Sequence, residues 1–307
     1  MKKLAMILSA TLVVMLLFAG CSGSGTGSEA EADSSTTVRI ASASYGEVEI
    51  QAEMAKALIE AQTDHKVERI LNMNEWLSFP AIVRGELDMY VSFTGTHFLG
   101  TLEQTLTPKW RDPDKVWEYV HDRLLEEYGL YAFEPYGYNN VYGLAVPRSR
   151  AKELGLKTTS DIVPYAAEMV LATDQVFQDR PGQGYKELCE TYGFNFKEAV
   201  PMELGLMYRA LTTGEADAGI IYTTDGRNIA QDLVILEDDK QFNPPYYGML
   251  LARADILEQH PEIKTAIEPL CGLFDTKMMT ELNARVDVDG EDAAQVARDF
   301  LQEQNLL

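Results

Sequence analysis

The chain contains two stretches that follow the same pattern, and this repeat constrains its fold more than any other feature. GELDMYVSFTGT (residues 85–96) and GEADAGIIYTTD (residues 214–225) share Gly-Glu-x-Asp, then a β-prone run, then an aromatic residue and a threonine. The aromatic residue, Phe93 or Tyr222, stands eight positions after the first glycine of its stretch. Two such units, each placing a ring where a strand ends, predict two similar lobes that face each other.

Hydrophobic periodicity around the first repeat predicts strands that alternate with helices. The predicted strands cover 38–42, 67–71 and 87–93, and the predicted helices cover 47–62 and 76–84. The order β-α-β-α-β implies a mostly parallel sheet with helices on both faces. In open sheets of this kind, ligands bind beyond the carboxyl ends of the strands.

The second repeat lies in a region with its own set of predicted elements. A strand over 141–147 leaves the first lobe, and the chain returns to that lobe near 243. The elements between are a helix capped by Ser160, a buried strand within 168–173, a helix that ends at Gly193, a helix over 203–213 and a strand over 218–222. Three further helices are predicted over 261–273, 276–284 and 291–304.

These elements predict two domains, each of which is large enough for its own core. Lobe I consists of 38–143 together with 243–307, and lobe II consists of 144–242. Because the strand ends of both lobes face one cleft, we expect Phe93 and Tyr222 on its opposite walls.

The N-terminus has the pattern of a bacterial lipoprotein signal. Two lysines precede an apolar run over 4–19, and small residues precede Cys21. That run is shorter than the ~20 residues of a membrane-spanning helix. We predict a signal peptide over 1–20, a lipid on the Cys21 thiol and a flexible tether over 21–37 that is rich in Gly, Ser and acidic residues. The mature protein is then expected outside the cytoplasmic membrane, anchored by its lipid.

The charge of the chain narrows the class of partner. The formal net charge is −22 over 307 residues, which argues against nucleic acid because its binding depends on Lys and Arg. An apolar fraction of 46% is that of an ordinary globular protein rather than a disordered one. An acidic surface suits a small cationic partner, and it equally suits solubility alone.

Cysteine and histidine usage predicts no metal and no cofactor. Besides Cys21 the chain has Cys189 and Cys271, both in apolar helical contexts that favour packing over a disulfide. The four histidines show no metal-ligand spacing. The run DVDGED at 287–292 lacks the ligand order of a calcium loop and is typical of a helix start.

Four aromatic residues stand beside turn-forming or polar residues rather than inside apolar runs. We call them the ring set: Phe93, Tyr142, Tyr222 and Tyr246. A single aromatic residue at the end of a strand often has only a structural role, in which its ring covers the hydrophobic core. Four that converge in one cleft suit a quaternary ammonium group, which has no N–H to donate and is held by ring faces worth about 0.5–2 kcal/mol each.

Five motifs in a fixed order carry a family resemblance: GELDMYVSFTGT, GYNNVYGLAV, YTTDGR, FNPPY and LNARVDVDGEDAAQVARDFL. Over 38–307 the chain resembles the substrate-binding lipoproteins of osmoprotectant ABC importers, which capture glycine betaine, choline, carnitine and related compounds. The resemblance implies an α/β, periplasmic-binding-protein-like fold of type II, with two mixed, mostly parallel sheets joined by a two-stranded hinge. It also implies a monomer that closes on its ligand and delivers it to ABC permease subunits.

The resemblance assigns ligand-binding roles to seven residues. Tyr142, Tyr222 and Tyr246 match the tyrosines of the family's aromatic cage. Phe93 matches a fourth and keeps the π face without the hydroxyl. Thr96 and Arg180 match positions that hold a ligand carboxylate, and Asn140 matches one that contacts the ligand near the cage. The segment around Arg180 carries one residue more than the family pattern.

A second departure bears on which ligand is bound. Ala43 stands where the family often has Lys or Gln, and alanine cannot donate a hydrogen bond to a carboxylate. The missing charge-assisted bond is worth roughly 1.5–3 kcal/mol. We therefore expect a head group without a carboxylate, such as choline, to compete better here than in typical relatives.

Two other functions were weighed against the binding protein. An extracellular enzyme for a choline-like ester needs a nucleophile with its base or a metal, yet only His97 with Asp225 offers a pair, and no G-x-S-x-G motif is present. A binding protein for a polyamine or an amino acid needs carboxylates in the cleft, and Asp88 and Asp217 are better placed to brace their strands. We therefore expect a binding protein and not an enzyme.

Overall fold

Two five-stranded sheets with the same strand arrangement organise the chain. The computed structural model describes residues 35–180 and 183–307, so Cys21, the predicted signal peptide and nearly all of the predicted tether lie outside the described residues. Sheet 1 has the order β2-β1-β3-β10-β4 and sheet 2 the order β7-β6-β8-β5-β9. The strands are β1 Thr37–Ala41, β2 Lys66–Ile70, β3 Met89–Phe93, β4 Leu130–Ala132, β5 Tyr142–Pro147, β6 Val170–Thr173, β7 Glu198–Pro201, β8 Ala218–Tyr222, β9 Leu233–Ile235 and β10 Gly248–Arg253.

Both sheets are mixed, which confirms the predicted fold class. In sheet 1, β1 runs parallel to β2 and β3, whereas β10 runs antiparallel to β3 and β4. In sheet 2, β6 runs parallel to β7 and β8, whereas β5 runs antiparallel to β8 and β9. Within the described ranges, parallel and antiparallel pairings are equal in number, so the prediction that the sheets are mostly parallel is wrong. The reason is that one returning strand is inserted into each sheet.

Helices cover both faces of the sheets. They are α1 Gly46–Gln62, α2 Glu75–Val83, α3 Thr94–Thr96, α4 Pro113–Tyr128, α5 Arg148–Leu154, α6 Gln175–Asp179, α7 Tyr185–Tyr192, α8 Leu204–Thr213, α9 Arg227–Ala230, α10 Ala254–Gln259, α11 Pro261–Ile267, α12 Thr276–Asp287 and α13 Ala293–Glu303. A π-helical turn, His97–Thr101, continues α3, and short 3-10 turns cover Pro108–Arg111, Thr159–Ile162, Ala166–Glu168 and Glu268–Leu270.

Alternation along the strands builds a core on each face of sheet 1. Ile40 and Leu250 belong to the buried cluster under α1 and α11 to α13. Ala41 and Leu251, their neighbours in sequence, belong to the cluster under α2 and α4 on the other face. This is the period-2 pattern of a strand that is buried on both sides.

The chain crosses between the sheets twice, and the two crossings are hydrogen bonded to each other. Asn139 and Tyr247 form an isolated antiparallel bridge. The Asn140 N–H donates to the Tyr246 carbonyl at 2.9 Å, and the Tyr246 N–H donates to Asn139 Oδ1 at 2.8 Å. The lobe boundaries at 143/144 and 242/243 stay predictions, although β5 starts at Tyr142 and Thr37 of the predicted tether already belongs to β1.

The repeated Gly-Glu-x-Asp is a structural device that both sheets use. Gly85 and Gly214 have left-handed φ values of 74° and 78°, which glycine adopts without strain, so each lets the chain turn from a helix toward a strand. The aspartate that follows braces the neighbouring strand: Asp88 accepts from the Arg39 N–H at 2.8 Å, and Asp217 accepts from the Val170 N–H at 2.9 Å.

Two helical elements differ from the predictions made from the sequence. The helix predicted with Ser160 as its cap is a 3-10 turn that begins two residues earlier, at the cap residue Thr158. Thr158 and Asp161 form a capping box, in which the side chain of each accepts from the backbone N–H of the other. Helix α4 was not predicted, although Asp112 caps its start and Gly129 ends it at a φ of 65°. Cys189 and Cys271 are free and partly buried.

Candidate ligand-binding site

A cavity of about 600 Å³ lies where the ends of the two sheets meet. A volume of this size is typical of small-molecule sites. The structure brings all seven predicted site residues to its wall: Phe93, Thr96, Asn140, Tyr142, Arg180, Tyr222 and Tyr246.

Sheet 2 contributes a stacked pair of tyrosines. Tyr142 starts β5 and Tyr222 ends β8, and the antiparallel register places them directly opposite each other. Their rings stack at 4.8 Å between centroids with an interplanar angle of 30°, and their hydroxyl oxygens are 3.0 Å apart. Because one face of each ring is taken by the other, the pair presents a single aromatic wall to the cavity.

Sheet 1 contributes Phe93 and Tyr246 through the Thr-Gly-Thr turn. Phe93 ends β3 opposite Gly248 of β10, and Tyr246 comes two residues before that strand. The Thr94 N–H donates to the Tyr247 carbonyl, and the Thr94 hydroxyl accepts from the Tyr247 N–H, both at 3.0 Å. The turn therefore holds the segment that carries Tyr246.

Gly95 provides the space for the Tyr246 ring. A Cβ atom at this glycine would lie 2.3 Å from two ring carbons of Tyr246, far inside van der Waals contact. The sequence Thr-Gly-Thr after β3 is thus explained by its contacts with Tyr246 and Tyr247, which lie where the chain returns to sheet 1. The first threonine fixes the backbone, and the glycine admits the ring.

We expect Gly95→Ala to displace the Tyr246 ring and to weaken ligand binding by roughly tenfold, the loss of one ring face. Stability should fall by about 1–2 kcal/mol, toward the low side of the usual overpacking cost because the ring can move into the cavity. Isothermal titration and urea unfolding measure the two effects. Gly100→Ala is the matched control, since nothing lies within 4 Å of a Cβ there. Equal affinities for both variants and the wild type would contradict this role of Gly95.

The polar residues predicted by resemblance lie beside the rings. Thr96 is half-buried at the end of α3. The Arg180 guanidinium lies 5.5 Å from the centroid of the Tyr142 ring, so this aromatic wall already contacts a cation. Pro181 and Gly182, which directly follow Arg180, lie outside the described residues.

Asn140 leads to a residue that the sequence analysis missed. Its Nδ2 donates to Glu47 Oε1 at 2.9 Å, and Asn283 Nδ2 donates to Glu47 Oε2 at 3.0 Å. Burial raises the pKa of Glu47, and hydrogen bonds from its neighbours oppose that shift. Glu47 lies in the first turn of α1, at the carboxyl end of β1. This switch-point location is the signal that could have identified it.

Charged residues make the cavity wall acidic. Glu47, Glu75, Asp225 and Asp287 line the cavity together with Arg180 and Arg227. These four carboxyl groups and two guanidinium groups give a formal charge of −2. A cavity with this charge attracts a cation.

Most of the lining carboxylates already have partners. Glu75 accepts from the Tyr90 hydroxyl at 2.8 Å and from the Ser92 hydroxyl at 2.7 Å. Asp225 pairs with Arg227 at 2.6 Å. These groups therefore shape the electrostatic field of the cavity more than they offer direct contacts.

The catalytic pair considered from the sequence is not assembled. His97 is fully buried, and its ring nitrogens contact Tyr90, Ser92 and Thr101 at 3.0–3.2 Å. Burial lowers the pKa of His97. Its contacts lie within lobe I, whereas Asp225 is engaged by Arg227. The two hydroxyl groups that His97 contacts, those of Ser92 and Thr101, do not line the cavity, and the Ser92 hydroxyl donates to Glu75.

A second polar cluster, away from this cavity, was not foreseen from histidine spacing. His65, His260 and Glu262 have ligand atoms within 4.8 Å of one another. His65 Nδ1 accepts from the Thr36 N–H at 3.0 Å, so in the neutral ring Nε2 carries the proton and donates to Glu262 at 2.7 Å. A metal would need that Nε2 lone pair, and a metal-bound histidine normally donates through its other nitrogen. His65 therefore links Thr36, the residue before β1, to Glu262 of α11 through hydrogen bonds.

Comparison with known proteins identifies the family. The substrate-binding domain of ABC-type glycine betaine transport systems matches residues 36–303. The chain belongs to this family. It is therefore a substrate-binding protein of an ABC transporter, and the family resemblance predicted from the five motifs is confirmed.

Individual relatives show how much of the chain this family membership covers. The carnitine transport binding protein OpuCC of Listeria monocytogenes is 35% identical over 261 residues, which cover 84% of each chain. The glycine-betaine-binding protein of Pseudomonas aeruginosa is 32% identical over 237 residues, 73% of this chain and 74% of that one. A crystal structure of a glycine betaine/carnitine/choline ABC transporter has a TM-score of 0.83 at 33% identity and covers 89% of this chain and 99% of that one. Within the described ranges, no helix of this family member has the length and apolar character needed to cross a membrane.

Proposed function

We propose that the protein captures quaternary ammonium compounds of the choline, glycine betaine and carnitine type outside the cytoplasmic membrane and delivers them to the permease of an ABC importer. One observation carries this proposal: the ring set, two rings from each sheet, lines a single acidic cavity. The relatives named for carnitine and glycine betaine support the same ligand class.

The chemistry of the cavity suits a methylated nitrogen better than a primary amine. A primary amine needs carboxylates that are free to accept its N–H groups, whereas the carboxylates of this cavity already accept hydrogen bonds from other residues. A trimethylammonium group has a full positive charge and no N–H, so it does not need such acceptors. Ring faces attract it by about 0.5–2 kcal/mol each. Burial raises the pKa of Tyr222 and Tyr246, so both phenols stay neutral and the attraction comes from their π faces.

The location and anchoring of the protein form part of the proposal. A lipid on Cys21 would hold the protein at the membrane surface, with the tether predicted over 21–37 between the lipid and the lobes. We propose that it acts there as a monomer, with no cofactor and no nucleic acid partner.

A polyamine or amino acid ligand is the second candidate, and the four carboxyl groups that line the cavity favour it. It is weakened because each of these groups already accepts a hydrogen bond from another residue, and because Asp88 and Asp217 do not line the cavity. Asp88 bonds Arg39, and Asp217 bonds the Val170 N–H, so both aspartates brace strands. Neither lines the cavity. The hypothesis of a choline-ester enzyme is also weakened, because His97 bonds Ser92 and Asp225 pairs with Arg227, so the two residues do not form a catalytic pair.

We expect choline to compete better with glycine betaine here than it does in typical relatives. Ala43 lines the cavity without a donor for a carboxylate, which removes roughly 1.5–3 kcal/mol from a zwitterion but nothing from choline. The net negative wall adds to this preference, because choline is a net cation and glycine betaine is not. Isothermal titration of both compounds measures the ratio. Glycine betaine bound a hundredfold more tightly than choline would overturn the prediction.

A thermal-shift panel of choline, glycine betaine, carnitine, ectoine and putrescine tests the function as a whole. A ligand at about 100 times its dissociation constant adds roughly 2.7 kcal/mol of stability, which for a chain of this size is a shift of several degrees. Shifts with the quaternary ammonium compounds support the proposal. A shift with putrescine alone would replace it by the polyamine function.

A further inference from the structure

Trp76 is the most exposed large apolar side chain among the described residues, and it also lines the cavity. Its relative exposure is 83%. The other two tryptophans of the chain are packed: Trp110 lies 5.1 Å from the Phe98 ring, and the Trp117 indole N–H donates to the Phe133 carbonyl at 3.0 Å. Tryptophan has the largest apolar surface of any side chain. Its exposure at the rim of a binding cavity indicates a contact that forms only in another state of the protein.

The backbone around Trp76 is fixed while its side chain is free. Asn74 caps helix α2 by accepting from the Leu77 N–H at 3.2 Å. The Glu75 carboxylate is held against β3 by the Tyr90 and Ser92 hydroxyls. An indole on this anchored turn can reorient about its two χ angles without moving the helix.

The opposite rim supplies an apolar surface for the indole. Leu204, the first residue of α8 on the sheet 2 side, lines the same cavity and is half-buried. Trp76 and Leu204 thus stand on the walls that carry sheet 1 and sheet 2. Among aromatic side chains, the indole attracts cations most strongly.

We propose that Trp76 is a fifth aromatic contact for the ligand: its indole covers the mouth of the cavity when a quaternary ammonium compound is bound and packs against Leu204. This inference deepens the proposed function and depends on it for the identity of the ligand. It assigns to Trp76 both part of the affinity and the exclusion of water from the ring set.

Isothermal titration with choline, glycine betaine and carnitine tests the contribution to affinity. Trp76→Ala should weaken the tightest of the three by roughly tenfold or more, and Trp76→Phe by less than about threefold because it retains a ring. Leu77→Ala is the matched control, since Leu77 is the next residue, is 51% exposed and does not line the cavity. The exposure of Trp76 predicts that all three variants fold, which unfolding without ligand verifies.

Fluorescence tests the movement itself. In a variant with Trp110→Phe and Trp117→Phe, Trp76 is the remaining indole, and its emission should shift to shorter wavelength when choline is added. The same addition to Trp76→Phe, which retains the two packed indoles, should leave the emission nearly unchanged.

The outcomes separate this inference from the proposed function. Wild-type affinity in Trp76→Ala, or an unshifted emission at saturating ligand, overturns the role of Trp76 and leaves the function in place. Failure of all three compounds to bind the wild-type protein overturns both. Weakened binding in Trp76→Ala but not in Leu77→Ala, with the emission shift, supports the inference.

Discussion

Replacing Tyr222 and Tyr246 together by alanine is expected to abolish the ligand-induced thermal shift of this protein. The two rings come from different sheets, at the end of β8 and two residues before β10. Two ring faces together contribute about 1–4 kcal/mol to the binding of a methylated cation. At the upper end of this range the affinity falls about a thousandfold.

The size of that loss makes the result clear-cut. Ligand at about 100 times the wild-type dissociation constant stabilises the native protein by roughly 2.7 kcal/mol. After a thousandfold loss of affinity, the same concentration is about one tenth of the dissociation constant of the double variant, so almost no stabilisation remains. Each single alanine variant should lose part of the shift.

Phenylalanine variants separate the ring from its hydroxyl. Tyr222→Phe and Tyr246→Phe keep the π face, and Phe93 shows that the chain already uses such a ring in this cavity. We expect both to retain most of the shift, with a small loss in Tyr222→Phe because its hydroxyl contacts that of Tyr142 at 3.0 Å. An unchanged shift in the alanine double variant would remove the ring set from the proposed mechanism.

The second large effect concerns stability. We expect Asp88→Ala to lower the free energy of unfolding by about 2–3 kcal/mol and to leave ligand affinity unchanged. Its buried carboxylate accepts from the Arg39 N–H and from two nitrogens of the Arg39 guanidinium at 2.8–2.9 Å. Loss of one partner from a buried pair costs about 3–5 kcal/mol. Arg39 is one-third exposed and can recover part of its hydration, which lowers the expected cost.

Urea unfolding with and without choline measures this prediction. Asp217→Ala is the matched variant from the second repeat, and its smaller cost of about 1–2 kcal/mol reflects a bond to one backbone N–H. If Asp88→Ala unfolds like the wild type but loses putrescine binding, its carboxylate contacts a ligand and the polyamine function gains support.

The periodic features of the sequence predicted the fold well, for a local reason. Both copies of Gly-Glu-x-Asp end a helix, turn and brace a strand with contacts that each lobe repeats, so the pattern appears in the sequence itself. The ring positions were predictable for a related reason. Phe93 and Tyr222 come directly after apolar runs, and a ring at the end of a strand faces the cleft of an α/β sheet.

Residues whose roles depend on distant segments were not predicted. Glu47 is engaged by Asn140 and Asn283, which are 93 and 236 positions away in the sequence. His65 and Glu262 meet across 197 positions, so histidine spacing gave no sign of their cluster. The exposure of Trp76 was likewise not predicted, because exposure depends on which distant segments pack around helix α2.

By itself, the sequence determined two mixed α/β lobes and the family, because short motifs and hydrophobic periods encode local structure and strand ends. The family resemblance then implied the seven residues that meet in the cavity. The tertiary structure alone decided how those residues contact one another. Tyr142 stacks on Tyr222 because β5 and β8 run antiparallel, and Tyr246 fits over Gly95 because the two crossings of the chain are bonded together. Such contacts depend on strand direction and close packing between remote segments, which no local pattern records.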